Sequence, residues 1–267
     1  MTALAIAGVG VCGAGLPDWT QATQVLRGAT PFRAEAVSKL APGCLPAIER
    51  RRVNETSCLA IAAALQAVEH QSAMAQRQLP TVFSSADGDT DVLAHVLAAL
   101  TKPEVMLSPT LFHNSVFNAP AGYWSLGCAA QAASTTLCAG AASFAVGLCE
   151  ARAQVLATDA PVLYVAYDMP FPESLRAFGG SLQPFACALL LKPGGAGMPE
   201  CCGSIDDWQR IDGADAGELA SPLFAAEFGN NAAAAGLPLL AAVAGRTHAS
   251  IRLPYLDETW LRLAYLP

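Results

Sequence analysis

The sequence predicts an α/β fold in which helices cover both faces of one sheet. Segments typical of strands alternate along the chain with segments typical of helices. The predicted strands are apolar throughout, which is the pattern of a strand buried on both sides. Hydrophobic residues make up 53% of the 267 residues, so the chain has enough apolar side chains for a large core.

The individual elements follow in chain order. The apolar stretch 3–12 predicts the first strand, and we expect Asp18 to cap a helix that ends at Leu26. Further strands are predicted at 80–87, 131–137, 160–169 and 184–193, and further helices at 55–70, 89–102, 118–127 and 138–156. Residues 219–245 are predicted to be partly helical, and 248–255 and 258–266 to form a closing pair of strands. We therefore expect a single domain, 1–267, with a core half at 1–193 and a less regular C-terminal annex at 194–267.

The low charge content indicates a covered surface. Charged residues make up only 14% of the chain, against about 25% in an average soluble domain. No apolar run reaches the ~20 residues that a membrane span needs, and the glycine-rich N-terminus does not resemble a signal peptide. We therefore expect a soluble, cytoplasmic protein that covers apolar surface with a partner.

Nucleic acid is not an expected partner. The formal net charge is −7 and the chain contains three lysines, whereas nucleic-acid binding requires a basic face. The one basic cluster, Arg50-Arg51-Arg52, is interpreted as a solvated surface.

The chain carries no pattern typical of a metal or cofactor site. Its nine cysteines are irregularly spaced and include no C-x-x-C pair, so we interpret them as reduced thiols. The glycines of "GVGVCGAG" nearly match a dinucleotide-binding spacing, but Pro17 interrupts before a helix can begin. The stretch "DGDTD" (87–91) lacks the glycine and glutamate of a calcium loop, and we expect Asp89 or Thr90 to cap the next helix.

Cys138 is the candidate for chemistry. It stands where a predicted strand meets a predicted helix, and helix amides there favour a thiolate. The following residues are small or apolar, as in a helix buried on every side. From the residues alone, a nucleophile and a structural cysteine both remain open.

Four stretches carry a resemblance to a known family. They are "LAIAGVGVCGAGLPDWTQATQVLRGATPF", "SPTLFHNSVFNAPAGYWSLG", "STTLCAGAASFAVGL" and the strand pair "APVLYVAYDMP" and "PFACALLLKP". Residues 3 to about 193 resemble the N-terminal half of β-ketoacyl synthases, of the thiolase superfamily. The resemblance implies a thiolase-like α/β/α layered fold with Cys138 at the nucleophile position. More narrowly, "SPTLFHNSVFNAPAGYWS" and the C-terminal stretch resemble the chain-length-factor subunits of aryl polyene and xanthomonadin-type pathways.

The sequence departs from this family in its histidines. The family uses a cysteine and two histidines from its C-terminal half for the decarboxylative condensation. Only His248 follows Cys138 here, without a glycine-rich histidine loop. The stretch "AFGGS" (177–181) resembles such a glycine-rich loop, but we interpret that likeness as coincidental. The resemblance therefore implies a subunit with little catalysis of its own.

The resemblance also implies a partner. Family members pair through the strand that leads to the nucleophile, and residues after "SP" line the partner's acyl tunnel. By resemblance, Leu111, Phe112, His113 and Phe117 are expected at this tunnel and interface, while ordinary interface packing remains the alternative. Since this chain is acidic, we expect the acyl carrier protein to dock on the partner.

The hypothesis is thus a chain-length-factor-type subunit that forms a heterodimer with a full-length β-ketoacyl synthase in polyketide, polyene or fatty-acid-type elongation. One alternative is an independent acyltransferase or thioesterase that uses Cys138 with His113 or His248 as base. Another is a homodimeric acyl-binding scaffold.

Overall fold

The computed structural model describes residues 3–104, 106–195, 198, 200–212 and 222–267. In chain order its helices and strands are β1 Leu4–Gly13, α1 Trp19–Leu26, α2 Glu55–Ala67, α3 Ala73–Arg77, β2 Thr81–Ser84, α4 Thr90–Leu100, α5 Pro109–Asn114, α6 Ala119–Cys128, β3 Ser134–Leu137, α7 Ser143–Thr158, β4 Val162–Asp168, β5 Phe185–Pro193, β6 Ser204–Ile211, α8 Pro222–Phe228, α9 Leu237–Gly245, β7 Ala249–Pro254 and β8 Trp260–Leu266.

The described strands form one eight-stranded sheet in the order β3-β2-β4-β5-β1-β6-β8-β7. Strands β3, β2 and β4 run parallel to one another, and the other neighbouring strands pair antiparallel. The parallel part therefore occupies one end of the sheet, with β3 at its edge. The C-terminal strands β6, β8 and β7 extend the other end.

Helices cover both faces of the sheet. Along β4, Val162, Tyr164 and Ala166 belong to the same buried cluster as α7 and α9, whereas Leu163 and Val165 pack with α2 and α6 on the opposite face. Both sets are buried, because successive side chains of a strand point to opposite faces. The continuous apolar sequence of this strand is thus explained by two covered faces.

The glycines of β1 serve close packing. A Cβ on Gly8 would lie 2.0 Å from the carbonyl oxygen of Ala67, and one on Gly10 would lie 1.9 Å from that of Ala63. Both glycines lie within the strand and let α2 approach its backbone. This placement differs from the strand-to-helix turn that a dinucleotide site requires.

Both predicted acidic caps are confirmed. The Asp18 carboxylate accepts a hydrogen bond of 2.7 Å from the Gln21 backbone at the start of α1. Asp89 does the same for Val92 at 2.8 Å at the start of α4. In each case the carboxylate satisfies an amide that the helix leaves without an intrahelical partner.

One local prediction is wrong, and three elements were not predicted. The helix predicted to begin at residue 138 begins at Ser143, because Gly140 has a left-handed φ of +54° and a 3-10 turn intervenes. Strand β6 and helices α3 and α5 have no counterpart among the predicted elements. The closing pair β7 and β8 is confirmed, while residues 219–221 of the partly helical segment lie outside the described residues. In the described ranges, no helix combines the length and apolarity needed to cross a membrane.

Candidate functional site

The candidate site lies at the carboxyl ends of the three parallel strands. Pairing places Ser84 at the end of β2 opposite Leu137 on one side and Ala166 on the other. The residues that follow, Ser85 and Cys138, therefore emerge near the end of β4 at Asp168. The carboxyl ends of parallel strands are where open α/β sheets hold their ligands.

Cys138 follows β3 directly and has an exposed side chain. Its thiol donates a hydrogen bond of 2.9 Å to the carbonyl oxygen of Ala86. The next backbone amide, that of Ala139, donates to the Ser143 hydroxyl at 2.9 Å. The first helical residue thus holds the loop that carries the cysteine, and the thiol points to a carbonyl.

The buried carboxylate of Asp168 binds the backbone that contacts the Cys138 loop. Asp168 is 3% exposed at the end of β4. One of its oxygens accepts the Ser85 hydroxyl at 2.7 Å and the Ala86 amide at 2.8 Å, and the other accepts the Ala233 amide at 3.0 Å. Burial raises the pKa of Asp168 to about 6, although these hydrogen bonds oppose the shift. Asp168 therefore positions the residue whose carbonyl accepts the Cys138 thiol.

The Asn231 side chain holds a second loop at the end of β4 through hydrogen bonds. Its side-chain amide donates to the Asp168 carbonyl at 3.2 Å and to the Ser181 hydroxyl at 3.1 Å. Its carbonyl oxygen accepts the Ala234 amide at 3.1 Å. Segments distant in sequence are thereby joined around the end of β4.

A cavity of about 500 Å³ opens beside this network. Its wall includes Ala86, Asp87, Gly140, Gly180 and Asn231. Burial raises the pKa of the Asp87 carboxyl. The size is within the range of small-molecule sites, and several wall positions lack a side chain, so backbone groups are accessible to an occupant.

The four histidines make their described contacts elsewhere. His70 pairs with Glu69 and His95 with Asp91, both at the surface. His113 packs edge-on against Tyr123, with ring centroids 5.7 Å apart, and His248 is exposed. In the parts of the chain that the structure describes, no histidine is hydrogen-bonded to Cys138 or lines the cavity.

The predicted tunnel and interface residues lie on and after α5. Phe112 is 64% exposed and His113 is exposed, whereas Leu111 is half-buried. Phe117 is half-buried and its ring lies 3.0 Å from the position of a Cβ on Gly88. Phe112 and His113 are thus exposed, whereas Leu111 and Phe117 are partly buried.

Exposed apolar side chains lie on α4, on α5 and in the segments beside α5. Helix α4 contacts α5, and on α4 the residues Leu93, Leu97 and Leu100 are 45–56% exposed at helical spacing. We call the "α4–α5 apolar surface" the group Leu93, Leu97, Leu100, Met106, Phe112 and Val116. An amphipathic helix normally buries such a stripe, so this surface has the character of an interface.

Sequence reasoning missed Asp168 and did not place Gly179 and Gly180 at the site. The available signal for Asp168 was a lone acid at the end of the apolar segment "PVLYVAYD". The glycine pair is visible in the sequence, but its place in the cavity wall depends on a loop that only folding brings near Gly140. Across the described residues, no group of three or more His, Cys, Asp or Glu side chains is arranged to hold a metal ion.

Comparison with known proteins identifies relatives of this arrangement. The family model for the β-ketoacyl synthase N-terminal domain matches residues 19–250. The match thus continues beyond residue 193, where the resemblance of the individual strands ends. No curated protein matches the sequence significantly.

Solved structures share the fold. The ketosynthase ApeO in complex with its chain length factor ApeC from Xenorhabdus doucetiae matches with a TM-score of 0.73 and 22% identity, over 98% of this chain and 99% of the other. The ishigamide ketosynthase/chain length factor matches with a TM-score of 0.75 and 13% identity, over 98% and 99%. The AntDE:AntF assembly, a type II polyketide synthase carrier protein in complex with its ketosynthase, matches with a TM-score of 0.73 and 12% identity, over 99% of each chain. The predicted α/β, thiolase-like layered fold is confirmed.

Proposed function

Because this chain belongs to the β-ketoacyl synthase N-terminal domain family, we propose that it is a chain-length-factor-type subunit with little or no catalysis of its own. It pairs with a full-length β-ketoacyl synthase in polyketide, polyene or fatty-acid-type chain elongation. Two of the structural neighbours are themselves described as ketosynthase/chain length factor structures.

The observation that carries the proposal is that, in the part of the chain that the structure describes, no histidine lies beside Cys138. The thiol of Cys138 donates to the Ala86 carbonyl, and the described contacts of the four histidines lie elsewhere. A decarboxylative condensation needs donors that stabilise the enolate and the oxyanion. Among the described residues, the thiol and the loop that holds it are present, but no imidazole lies beside them to complete the reaction.

Two surface features support a partner. The α4–α5 apolar surface is exposed next to the predicted tunnel residues. Strand β3, which leads to Cys138, is at the sheet edge and its residues are half-buried or exposed. An unpaired edge strand is a template for pairing with another chain, so a ketosynthase that adds its own strand would cover β3.

We assign the chain-length role to Phe112, with Leu111, His113 and Phe117 around it. Phe112 is 64% exposed and so extends beyond the described fold. A phenyl ring that enters the partner's tunnel would limit the length of the growing chain. The acyl carrier protein docks on the partner in this proposal, because carrier proteins are acidic and this chain has a formal charge of −7.

Co-purification tests the pairing. The tagged chain is co-expressed with a full-length β-ketoacyl synthase from the same organism, and the complex is measured by light scattering. We expect a 1:1 heterodimer that Phe112→Asp weakens. Met74→Asp is the matched control, because Met74 is 80% exposed on α3, outside the α4–α5 apolar surface. A stable monomer without a bound ketosynthase would overturn the proposal, and a homodimer would favour an acyl-binding scaffold.

The exposure of Cys138 favours one second candidate, an independent acyltransferase or thioesterase. Such an enzyme requires a reactive thiol with a nearby base. Site-resolved iodoacetamide labelling separates the two functions: rapid, selective modification of Cys138 at neutral pH supports the enzyme, and slow modification supports the subunit.

A further inference from the structure

A second cavity, of about 720 Å³, lies on the face of the sheet that α2 covers. Its wall is built from residues of the segments 36–40 and 50–59, from the residues after β4 and from those before β5. Among the described wall residues, none is shared with the cavity that Asn231 lines. The size is within the range of small-molecule sites, and we call this separate site the α2 cavity.

Part of the wall of the α2 cavity is apolar. Leu59 is buried in the cluster that α2 forms with the sheet, and Val37, Leu40 and Met169 pack against that cluster while remaining half-buried. An apolar occupant would cover their exposed area, which is favourable in water. The described wall residues include no aromatic side chain, so a nucleobase or another flat ring would find no ring to stack on. The wall therefore fits an alkyl chain.

The same wall carries a local excess of positive charge. Lys39, Arg50 and Arg51 line the α2 cavity, and Glu55 is the one acidic residue among the described wall residues. All four side chains are exposed, so they lie toward solvent, at the entrance of the cavity. This excess contrasts with the formal net charge of −7 for the whole chain. An anion is therefore the occupant whose charge is complementary to the entrance.

Among the described residues, the side chains of Arg50 and Arg51 have no partner, whereas Arg52 has one. Arg52 pairs with Glu49 at 3.8 Å. Arg50 and Arg51 form no ion pair or side-chain hydrogen bond with a described residue, and both line the α2 cavity. The three consecutive arginines thus differ in their surroundings. A guanidinium group binds a carboxylate through two parallel hydrogen bonds, so two of the three arginines remain for an anionic ligand.

We propose that the α2 cavity binds a straight-chain fatty acid. The carboxylate accepts hydrogen bonds from the guanidinium groups of Arg50 and Arg51, and Lys39 adds positive charge at the entrance. The alkyl chain covers Leu40 and Met169 in the apolar part of the wall. A small polar anion would leave the apolar wall uncovered, and a neutral alkyl compound would leave the arginines without a charged acceptor. The acid binds without reaction, and the site does not depend on the proposed pairing with a ketosynthase.

Calorimetric titration of the full chain with sodium decanoate at pH 7 tests the proposal. We expect one site, and binding that tightens from octanoate through decanoate to dodecanoate, by up to about fourfold for each methylene that the wall covers. 1-Decanol carries the same alkyl chain without the charge. We expect it to bind at least about fivefold more weakly than decanoate, because hydrogen bonds to a charged acceptor are the stronger ones. Each ligand is kept below the concentration at which it aggregates.

The double variant Arg50→Gln/Arg51→Gln is expected to weaken decanoate binding roughly tenfold and to leave 1-decanol binding unchanged. Arg52→Gln is the matched control, because it removes the same charge from the same cluster, but Arg52 is not among the described wall residues. We expect it to change decanoate binding by less than about twofold. Leu40→Asp places a carboxylate in the apolar wall and is expected to weaken the binding of both ligands. Circular dichroism verifies that each variant is folded.

The proposal is overturned if decanoate does not bind, if decanoate and 1-decanol bind equally, or if chain length has no effect. An equal loss in Arg52→Gln and the double variant would also overturn it, since decanoate would then respond to general positive charge. The same holds if a folded Leu40→Asp binds both ligands as tightly as the wild type. If Leu40→Asp does not fold, the arginine variants still decide, because Arg50 and Arg51 are exposed. A failed titration leaves the proposed ketosynthase pairing standing, which co-purification tests separately.

Discussion

Ser85 and Asp168, at the carboxyl ends of the neighbouring parallel strands β2 and β4, are joined by a hydrogen bond of 2.7 Å from hydroxyl to carboxylate. The same carboxylate oxygen accepts the amide of Ala86, whose carbonyl accepts the Cys138 thiol. A buried charge thus orients the backbone that positions the cysteine. Because Asp168 acts through Ala86, it is a positioning residue.

The first prediction concerns the pH dependence of stability. Burial raises the pKa of Asp168 to about 6 from 3.8, so the folded chain binds this proton more tightly than the unfolded chain. The resulting stability is fully present below pH 3.8 and is lost as the pH rises through about 6. This loss amounts to on the order of 3 kcal/mol, since each pKa unit corresponds to about 1.4 kcal/mol. Urea titrations from pH 4 to 7 are expected to show this fall in the wild type and not in Asp168→Asn.

Ser85→Ala provides the matched variant for that titration. The Ser85 hydroxyl lowers the pKa of Asp168, so its removal is expected to raise that pKa further and to move the fall in stability to higher pH. Equal pH profiles for wild type and Asp168→Asn would contradict the raised pKa.

The second prediction concerns Cys138 in the assembled synthase. If the partner performs the condensation, Cys138→Ser is expected to change the rate of chain extension by less than about twofold, because no transition-state interaction is lost. The assay follows labelled malonyl groups on the carrier protein with the complete heterodimer. Substitution of the partner's own nucleophile is the control and is expected to abolish extension. A loss of tenfold or more in Cys138→Ser would assign chemistry to this thiol.

The third prediction concerns product length. Phe112→Ala removes the exposed ring of α5, so the purified heterodimer is expected to release products longer than those of the wild type, as measured by mass spectrometry of the released chains. Leu111→Ala is the neighbouring control with a smaller expected shift, because Leu111 is half-buried in this chain. If the intact Phe112→Ala complex releases the same products as the wild type, Phe112 does not limit chain length and is an ordinary interface residue.

Much of the fold was predictable because it depends on local signals. The continuous apolar sequence of β4 reflects two covered faces, and Asp18 and Asp89 stand at helix starts. Strand β6 was not predictable in this way. Its sequence "SIDDWQRI" mixes polar and apolar residues, and the pairing register shifts between Asp206 and Gln209, with Asp207 at a left-handed φ of +50°.

The site was predictable only in part. The family resemblance placed Cys138 beyond a strand, but the turn before α7 depends on the left-handed Gly140, which composition does not reveal. In the sequence, nothing distinguishes Asp168 from any other acidic residue at the end of a strand. Its burial results from donors on Ser85, Ala86 and Ala233 that lie far from it in sequence, and a single sequence carries no local signal for such contacts.

The last prediction tests the packing beneath the site. Gly147 lies in α7, and a Cβ there would be 2.6 Å from the Tyr164 ring. Tyr164 is held in place, because its hydroxyl bonds to Ser84 at 2.9 Å and to the Phe144 carbonyl at 2.7 Å. Gly147→Ala is therefore expected to lower the free energy of unfolding by about 1–3 kcal/mol through overpacking, although alanine is the better helix former.

Gly122 is the matched control for this overpacking. It also lies within a helix and is exposed, and an added Cβ would meet no atom within 4 Å outside its chain neighbours and its own helix backbone. Gly122→Ala is expected to raise the free energy of unfolding by roughly 0.5–1 kcal/mol, the helix propensity difference alone. If urea denaturation shows a lower free energy of unfolding for Gly147→Ala and a higher one for Gly122→Ala, the close approach of α7 to β4 requires the glycine at 147. A gain in both variants would mean that Tyr164 moves aside without cost, and that the polar contacts under Cys138 are looser than these distances imply.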